Sequence, residues 1–178
     1  LAKKELPLWI DYFEGMVKSA PQIKTTLPTM TFRDSLWIHG TKRSIQLAEF
    51  ENGHTQSDLA VFLPGEGIVF TGDLLFKDAH PWLSDGNPLQ LKKYLDAWAG
   101  SSEWKVFVPG HGAVGDKATV QSMSQYISDL QRIVQEQKIK GVPDSVIEAT
   151  PLPEPYAEWM FGSRFYAANL NYFCSQIK

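Results

Sequence analysis

Three short segments are the most informative part of this sequence: GHTQSD at 53–58, FTGD at 70–73 and VPGHG at 108–112. Each contains a residue able to bind a metal ion next to glycine, namely His54, Asp73 and His111. The second and third segments follow apolar runs typical of buried strands, so their polar side chains are expected at strand ends on a rigid scaffold. Neighbouring glycines allow sharp turns and leave room for an ion or a substrate. Two imidazoles and one carboxylate suit zinc, and also iron or manganese.

The surrounding sequence predicts a mixture of strands and helices. The predicted strands lie at 31–38 (with a turn at 33–35), 44–51, 59–63, 68–71 and 106–108. The runs at 59–63 and 68–71 are continuously apolar, which is typical of strands covered on both faces. The predicted helices are an opening helix after Pro7, one capped by Asn87 and ended by Gly100, one capped by Asp116, a short one at 144–149, and a last one capped by Ser163 that runs through Ile177.

Composition limits the possible functions further. The chain has 178 residues, 43% of them hydrophobic, and a formal net charge of -3. This length predicts a single domain over 1–178, with residues 142–178 as its C-terminal helical extension. The slightly acidic balance argues against nucleic acid and membrane surfaces as partners. The only cysteine, Cys174, cannot form an intramolecular disulfide and fits a reducing compartment such as the cytoplasm, although a secreted or periplasmic location is also compatible.

In their order and context, the three segments resemble the second half of the metallo-β-lactamase superfamily, in particular its glyoxalase II-like hydrolases. The resemblance extends from about Thr31 to Gly115, and more loosely through the C-terminal helices. It implies an α/β fold, namely a portion of the four-layer αββα sandwich, with a mixed sheet and helices packed on it.

The resemblance also implies roles for the three segments. His54 would bind a first metal ion, Asp73 would bridge two ions as the catalytic ligand, and His111 would bind the second ion. The ions would be zinc, with iron or manganese as alternatives. A metal-bound hydroxide would then attack an ester, thioester, lactone or similar bond of a small-molecule substrate.

Four further residues are candidates for the surroundings of such a site. Asp58 could accept a hydrogen bond that orients part of the site, or it could close a turn, and Thr55 has the same two alternatives. The loop at 80–87 resembles one that borders the pocket in a branch of the family, so His80 could contact substrate. Trp82 could form the wall of an apolar pocket, or it could anchor the loop to the core.

The family's His-x-His-x-Asp-His cluster is absent from this sequence. The four histidines are His39, His54, His80 and His111, and no two have the spacing of that cluster. A catalytic zinc ion needs about three protein ligands, so three residues shared between two metal positions do not complete a binuclear site. We therefore expect the chain alone to be inactive. A chain that binds no metal is also compatible with this incomplete set of ligands.

Half of the family fold would expose one apolar sheet face and one sheet edge. Three explanations are open: the chain is part of a longer protein, which we favour; a partner supplies the missing N-terminal half; or the chain forms a homo-oligomer. A function of a different class is also open, namely a non-catalytic half-fold that serves as an assembly or interaction module.

Overall fold

The computed structural model describes residues 2–177, without the side chains of residues 2–5 and of Ser163. The contacts within the chain divide it after Phe32 into two compact units, a boundary that falls inside the range predicted as a single domain. The first unit contains helix α1 (Ala2–Ser19) and a short 3₁₀ helix (Ala20–Gln22). The predicted opening helix is confirmed, although it includes Pro7 rather than beginning after it.

The second unit is built on one mixed five-stranded sheet. Its strands are β1 (Ser35–His39), β2 (Ser44–Glu51), β3 (Ser57–Leu63), β4 (Ile68–Phe76) and β5 (Val106–His111). They lie in sequence order, with antiparallel neighbours from β1 to β4 and a parallel pair β4–β5. The predicted α/β fold with a mixed sheet is confirmed. The first strand begins at Ser35, not at residue 31, because Asp34 adopts a left-handed conformation (φ 59°) that interrupts the extended backbone.

Helices cover one face of this sheet. They are α2 (Pro88–Gly100), α3 (Lys117–Ile139), α4 (Asp144–Ile147) and α5 (Gly162–Gln176), with a short 3₁₀ helix at Glu154–Tyr156. The predicted caps Asn87 and Asp116 are confirmed, since each side chain accepts backbone N–H bonds of the first helical turn. The predicted start of α5 is wrong, because the helix begins at Gly162, after a left-handed turn at Phe161, and the side chain of Ser163 lies outside the described residues. Within the described residues, no helix has the length and apolar character needed to cross a bilayer.

The core lies between this covered face and the helices. Val69 of β4 and Phe107 of β5 are fully buried, as are Leu95 of α2 and Ile127 of α3. Cys174 of α5 is also buried among apolar neighbours, in agreement with a packing role. The hydrophobic effect therefore fixes the helices against β4 and β5, the strands that carry Asp73 and His111.

The opposite face of the sheet is apolar, and no helix described in the second unit covers it. Leu59 is 42% exposed and Phe70 is 43% exposed, so the prediction that their strands are covered on both faces is wrong for this chain. The register places Leu47, Val61 and Phe70 side by side across three strands. The physical reason for the difference is that the helices of the second unit pack on one side of the sheet only. The exposed apolar face expected of a half-fold is therefore present.

Asn87 provides a test of how helix α2 begins beside the loop that carries His54. Its side chain accepts hydrogen bonds from Leu89 N and Gln90 N, and its own backbone N donates to Gly53 O at 3.1 Å. Replacing Asn87 by Ala removes the capping acceptor, so we expect the free energy of unfolding to fall by about 1 kcal/mol. Urea denaturation measures this change. Asn87→Asp keeps the acceptor and should remain near wild type, and an unchanged Asn87→Ala variant would contradict the assignment of the cap.

Candidate metal centre

The topology of the sheet brings His54, Asp73 and His111 to one end of it. Strands β4 and β5 are parallel, so Asp73 near the end of β4 and His111 at the end of β5 lie at the same edge. The loop between β2 and β3 carries His54 and returns to this edge, because β3 is antiparallel to β4. The three candidate ligands are therefore together in space, although the two histidines are 57 positions apart in the chain.

Asp73 lies between the two imidazoles. Its Oδ2 is 3.8 Å from His54 Nε2, and its Oδ1 is 3.7 Å from His111 Nε2. Both separations are too long for hydrogen bonds. Two ligand atoms of one tetrahedral zinc ion, with bonds near 2.1 Å, are roughly 3.4 Å apart. Each carboxylate oxygen and its facing nitrogen are therefore spaced much like two ligands of one ion.

His54 also contains a buried polar atom without a hydrogen-bond partner in the described part of the chain, on the side of the ring that does not face Asp73. The His54 side chain is only 12% exposed, and its Nδ1 is buried with no hydrogen-bond partner among the described residues. Leaving a buried polar atom unpaired costs about 1–3 kcal/mol, so such a ring is typical of a functional site. Asp73 and His111 are each 46% exposed and remain accessible to a ligand.

The donor set is nevertheless incomplete. Within residues 2–177, no group of three or more His, Cys, Asp and Glu side chains could hold a metal ion together. Each oxygen–nitrogen pair supplies only two donors, whereas a catalytic zinc ion has about three protein ligands. His54, Asp73 and His111 thus supply some of the donors that a metal site needs, and further donors would be required to complete it.

Glycines allow the close approach of these segments. A Cβ atom on Gly110 would overlap Asp73 Oδ1, and one on Gly86 would overlap the carbonyl oxygens of Gly53 and His54. Gly112 has a positive φ of 95°, which favours glycine, and a Cβ there would overlap the Lys77 carbonyl. Gly110 and Gly112, which lie beside His111 in the sequence, therefore have a steric role, because the backbone could not come this near with side chains present.

Phe76 is a site residue that the sequence analysis missed. It is buried in the core, its ring stacks on His111 at a centroid distance of 4.7 Å, and it lies 5.6 Å from the ring of His54. The available signal was the continuation of the apolar run through Leu74 and Leu75 to Phe76, which extends β4 beyond the predicted end at Thr71. Phe76 thus supports both imidazoles from the core side.

Asp58 and Thr55 stabilise the loop that carries His54. The Asp58 carboxylate accepts hydrogen bonds from the Thr55 backbone N at 3.1 Å and from the Thr55 hydroxyl at 2.8 Å. It makes no hydrogen bond to His54 Nδ1. Of the two alternatives for this pair, the geometry matches the closing of a turn, which positions His54 through the backbone.

His80 does not join the other candidate residues. It is fully buried, with Nδ1 2.8 Å from the Tyr126 hydroxyl and Nε2 3.1 Å from the Tyr156 carbonyl oxygen. The carbonyl can only accept, so Nε2 carries the proton and Nδ1 accepts from Tyr126. Burial raises the pKa of Tyr126, which keeps this phenol protonated as a donor. His80 therefore connects the loop after β4 to α3 and to the segment before α5.

Trp82 is half-buried and packs on Phe165 of α5, with ring centroids 5.4 Å apart. This contact anchors the loop, and it also leaves part of the indole accessible, so both alternatives of the sequence analysis remain compatible with it.

Comparison with solved structures places this architecture among known folds. The stereoselective inverting sec-alkylsulfatase Pisa1 from Pseudomonas sp. matches 85% of this chain with a TM-score of 0.63 and 14% identity. A metallo-β-lactamase from Pontibacter korlensis matches 61% of the chain with 26% identity and a TM-score of 0.45. The DIM-1 metallo-β-lactamase matches 64% with 19% identity and a TM-score of 0.48.

The chain has part of the metallo-β-lactamase fold. The similarity to the alkylsulfatase is one of fold, because the sequences share few residues. The chain spans 27% of the alkylsulfatase and about half of the two metallo-β-lactamases, with 54% and 53% of their chains matched. No protein-family model matches the chain. No curated protein matches it either.

The contact between Gly110 and Asp73 gives a direct test of this arrangement in the metallo-β-lactamase fold. Gly110→Ala should displace the Asp73 carboxylate and lower the free energy of unfolding by about 1–3 kcal/mol through overpacking. Urea denaturation and the NMR shift of the Asp73 carboxyl carbon measure the two effects. Gly100→Ala is the matched control, since nothing lies within 4 Å of a Cβ there. Equal stability of the two variants, with an unmoved Asp73 signal, would contradict the geometry.

Proposed function

We propose that the protein is a metal-dependent hydrolase of small molecules and that this chain contributes His54, Asp73 and His111 to its binuclear site. The observation that carries the proposal is the position of Asp73, with one carboxylate oxygen facing each histidine Nε2 at 3.8 and 3.7 Å. The metallo-β-lactamase fold supports the general class. Zinc is the expected metal, and iron or manganese would accept the same donors.

Each residue of this chain would have a distinct role in such a site. A bound divalent metal ion would activate water and polarise the bond to be broken, which is an ester, thioester, lactone or similar bond. Asp73 would serve both metal positions, and its negative charge would reduce the repulsion between two cations. His54 and His111 would bind as neutral imidazoles. Phe76 would hold both rings in place, and Asp58 would fix the loop of His54.

Additional ligands must come from outside this group of three residues. The uncovered apolar sheet face, which contains Leu59 and Phe70, is where further structure could pack. A longer form of the protein, a partner chain or a second copy of this chain could each provide it. The complete enzyme would then form where that structure reaches the edge that carries Asp73.

The same exposed face favours a second candidate function, a non-catalytic module that associates through the sheet. Native mass spectrometry distinguishes the candidates, because the module would form a stable metal-free oligomer. A strictly monomeric chain would contradict the module.

Replacing Asp73 by Ala in the full-length protein tests the hydrolase. The variant should lose binuclear zinc loading and fall at least about a hundredfold in hydrolysis of a panel of esters, thioesters and lactones, because removal of an oriented metal ligand costs that much or more. Elemental analysis and steady-state rates provide the two measurements. Glu103→Ala is the control, since Glu103 is an exposed acid beside the hairpin at the opposite edge of the sheet. Full zinc loading and full activity of Asp73→Ala would refute the proposal.

A further inference from the structure

Three partly exposed aromatic side chains extend from His111 along the surface, and we name Phe161, Phe165 and Trp82 the aromatic row. Phe161 stands perpendicular to the His111 imidazole, with ring centroids 5.9 Å apart and an interplanar angle of 86°. Phe165 lies 5.4 Å from Phe161, and Trp82 lies 5.4 Å from Phe165. Each ring is only partly buried, so part of its surface is accessible to a ligand. The row begins directly beside a proposed metal ligand.

The backbone at Phe161 is strained. Its φ is 65°, in the left-handed region, where a bulky residue is uncommon and costs energy. Glycine would make the same turn without that cost. An aromatic side chain at this position is therefore not explained by the turn itself, and backbone strain of this kind is concentrated at functional sites.

The neighbouring residues fix Phe161 from both sides. Met160 N donates to Asp78 O at 2.9 Å, and His80 N donates to Met160 O at 2.9 Å, so the preceding residue pairs with the loop after β4. The following residue, Gly162, is buried against His80, where a Cβ would come within 3.0 Å of Nε2. The buried His80 therefore has a structural consequence for the site, because it supports the segment that places Phe161 beside His111.

We propose that the aromatic row binds an apolar alkyl or aryl group of the substrate, next to the bond hydrolysed at Asp73. The proposal rests on the proposed function and names its substrate class. Polar groups converge at one end of the row, where Asp73 and His111 are accessible, and apolar rings line the direction away from them. A substrate that combines a polar bond with an adjoining apolar group of several carbons matches both environments, since ligand sites combine apolar walls with few polar groups.

Binding of two simple anions to the full-length protein with zinc tests the row without any hydrolysis. Hexanoate and acetate share a carboxylate, and each methylene group removed from water favours binding about fourfold. Because the row is open to solvent, we expect hexanoate to bind about tenfold more tightly than acetate, with only part of its chain buried. NMR titration measures both affinities from the backbone amide of Gly162 and from the indole N–H of Trp82, which is assigned by its loss in Trp82→Phe.

The variants separate the ring of Phe161 from its backbone. Phe161→Gly keeps the turn and removes the ring, so the preference for hexanoate should fall to less than about threefold, as expected when roughly one methylene contact is lost. Phe161→Tyr keeps the ring and should retain the preference. Ile139→Ala, an exposed apolar truncation at the far end of α3, is the matched control and should also retain it. If Phe161→Gly does not fold, Trp82→Ala replaces it. The affinities measured at the Gly162 amide should then show the same loss of preference for hexanoate.

The outcomes keep this inference distinct from the hydrolase proposal. Equal binding of hexanoate and acetate, or a preference that survives both Phe161→Gly and Trp82→Ala, would overturn the aromatic row as a binding surface. Hydrolysis of 4-nitrophenyl hexanoate and 4-nitrophenyl acetate is measured in parallel. If neither ester is hydrolysed while the Phe161-dependent preference for hexanoate remains, the proposed hydrolysis is wrong and the aromatic row is still supported as an apolar binding surface.

Discussion

The carboxylate of Asp73 between two imidazoles is the arrangement on which the rest of this site depends. One oxygen faces His54 Nε2 and the other faces His111 Nε2, at distances beyond hydrogen bonding. Neither contact is a hydrogen bond, whereas a metal cation placed between each oxygen and its facing nitrogen would bind both atoms. The parallel pairing of β4 and β5 and the return of β3 provide the required geometry, because they bring three distant chain positions to one sheet edge.

Close packing of the backbone maintains that geometry. Gly110 lies against the Asp73 carboxylate, and Gly86 lies against the loop of His54, where any side chain would overlap. Phe76 supports the imidazoles from the core, and Asn87 connects the start of α2 to Gly53. The helical core therefore positions the site from one side of the sheet. The other side is uncovered, and it is there that the remaining ligands of a complete site would have to be introduced.

Local sequence signals predicted the strands, most helices and the three converging residues, because strand-end placement and glycine spacing are properties of short segments. Asn87 and Asp116 were recognisable as caps for the same reason. Contacts between distant parts of the chain could not be predicted from such short segments. His80 lies in a polar loop sequence, yet the structure buries it against Tyr126 and Tyr156, which are distant in the chain. Phe161 likewise gains its position beside His111 from pairing with the loop after β4, and no short motif indicates that contact.

Metal binding at Asp73 can be tested by anomalous X-ray diffraction at the zinc edge, with crystals of the full-length protein grown with zinc. Two anomalous peaks are expected on either side of Asp73, one near Oδ2 and His54 Nε2, and the other near Oδ1 and His111 Nε2. Peaks that do not involve Asp73, or the absence of any peak at this sheet edge in a zinc-saturated crystal, would contradict metal binding by Asp73.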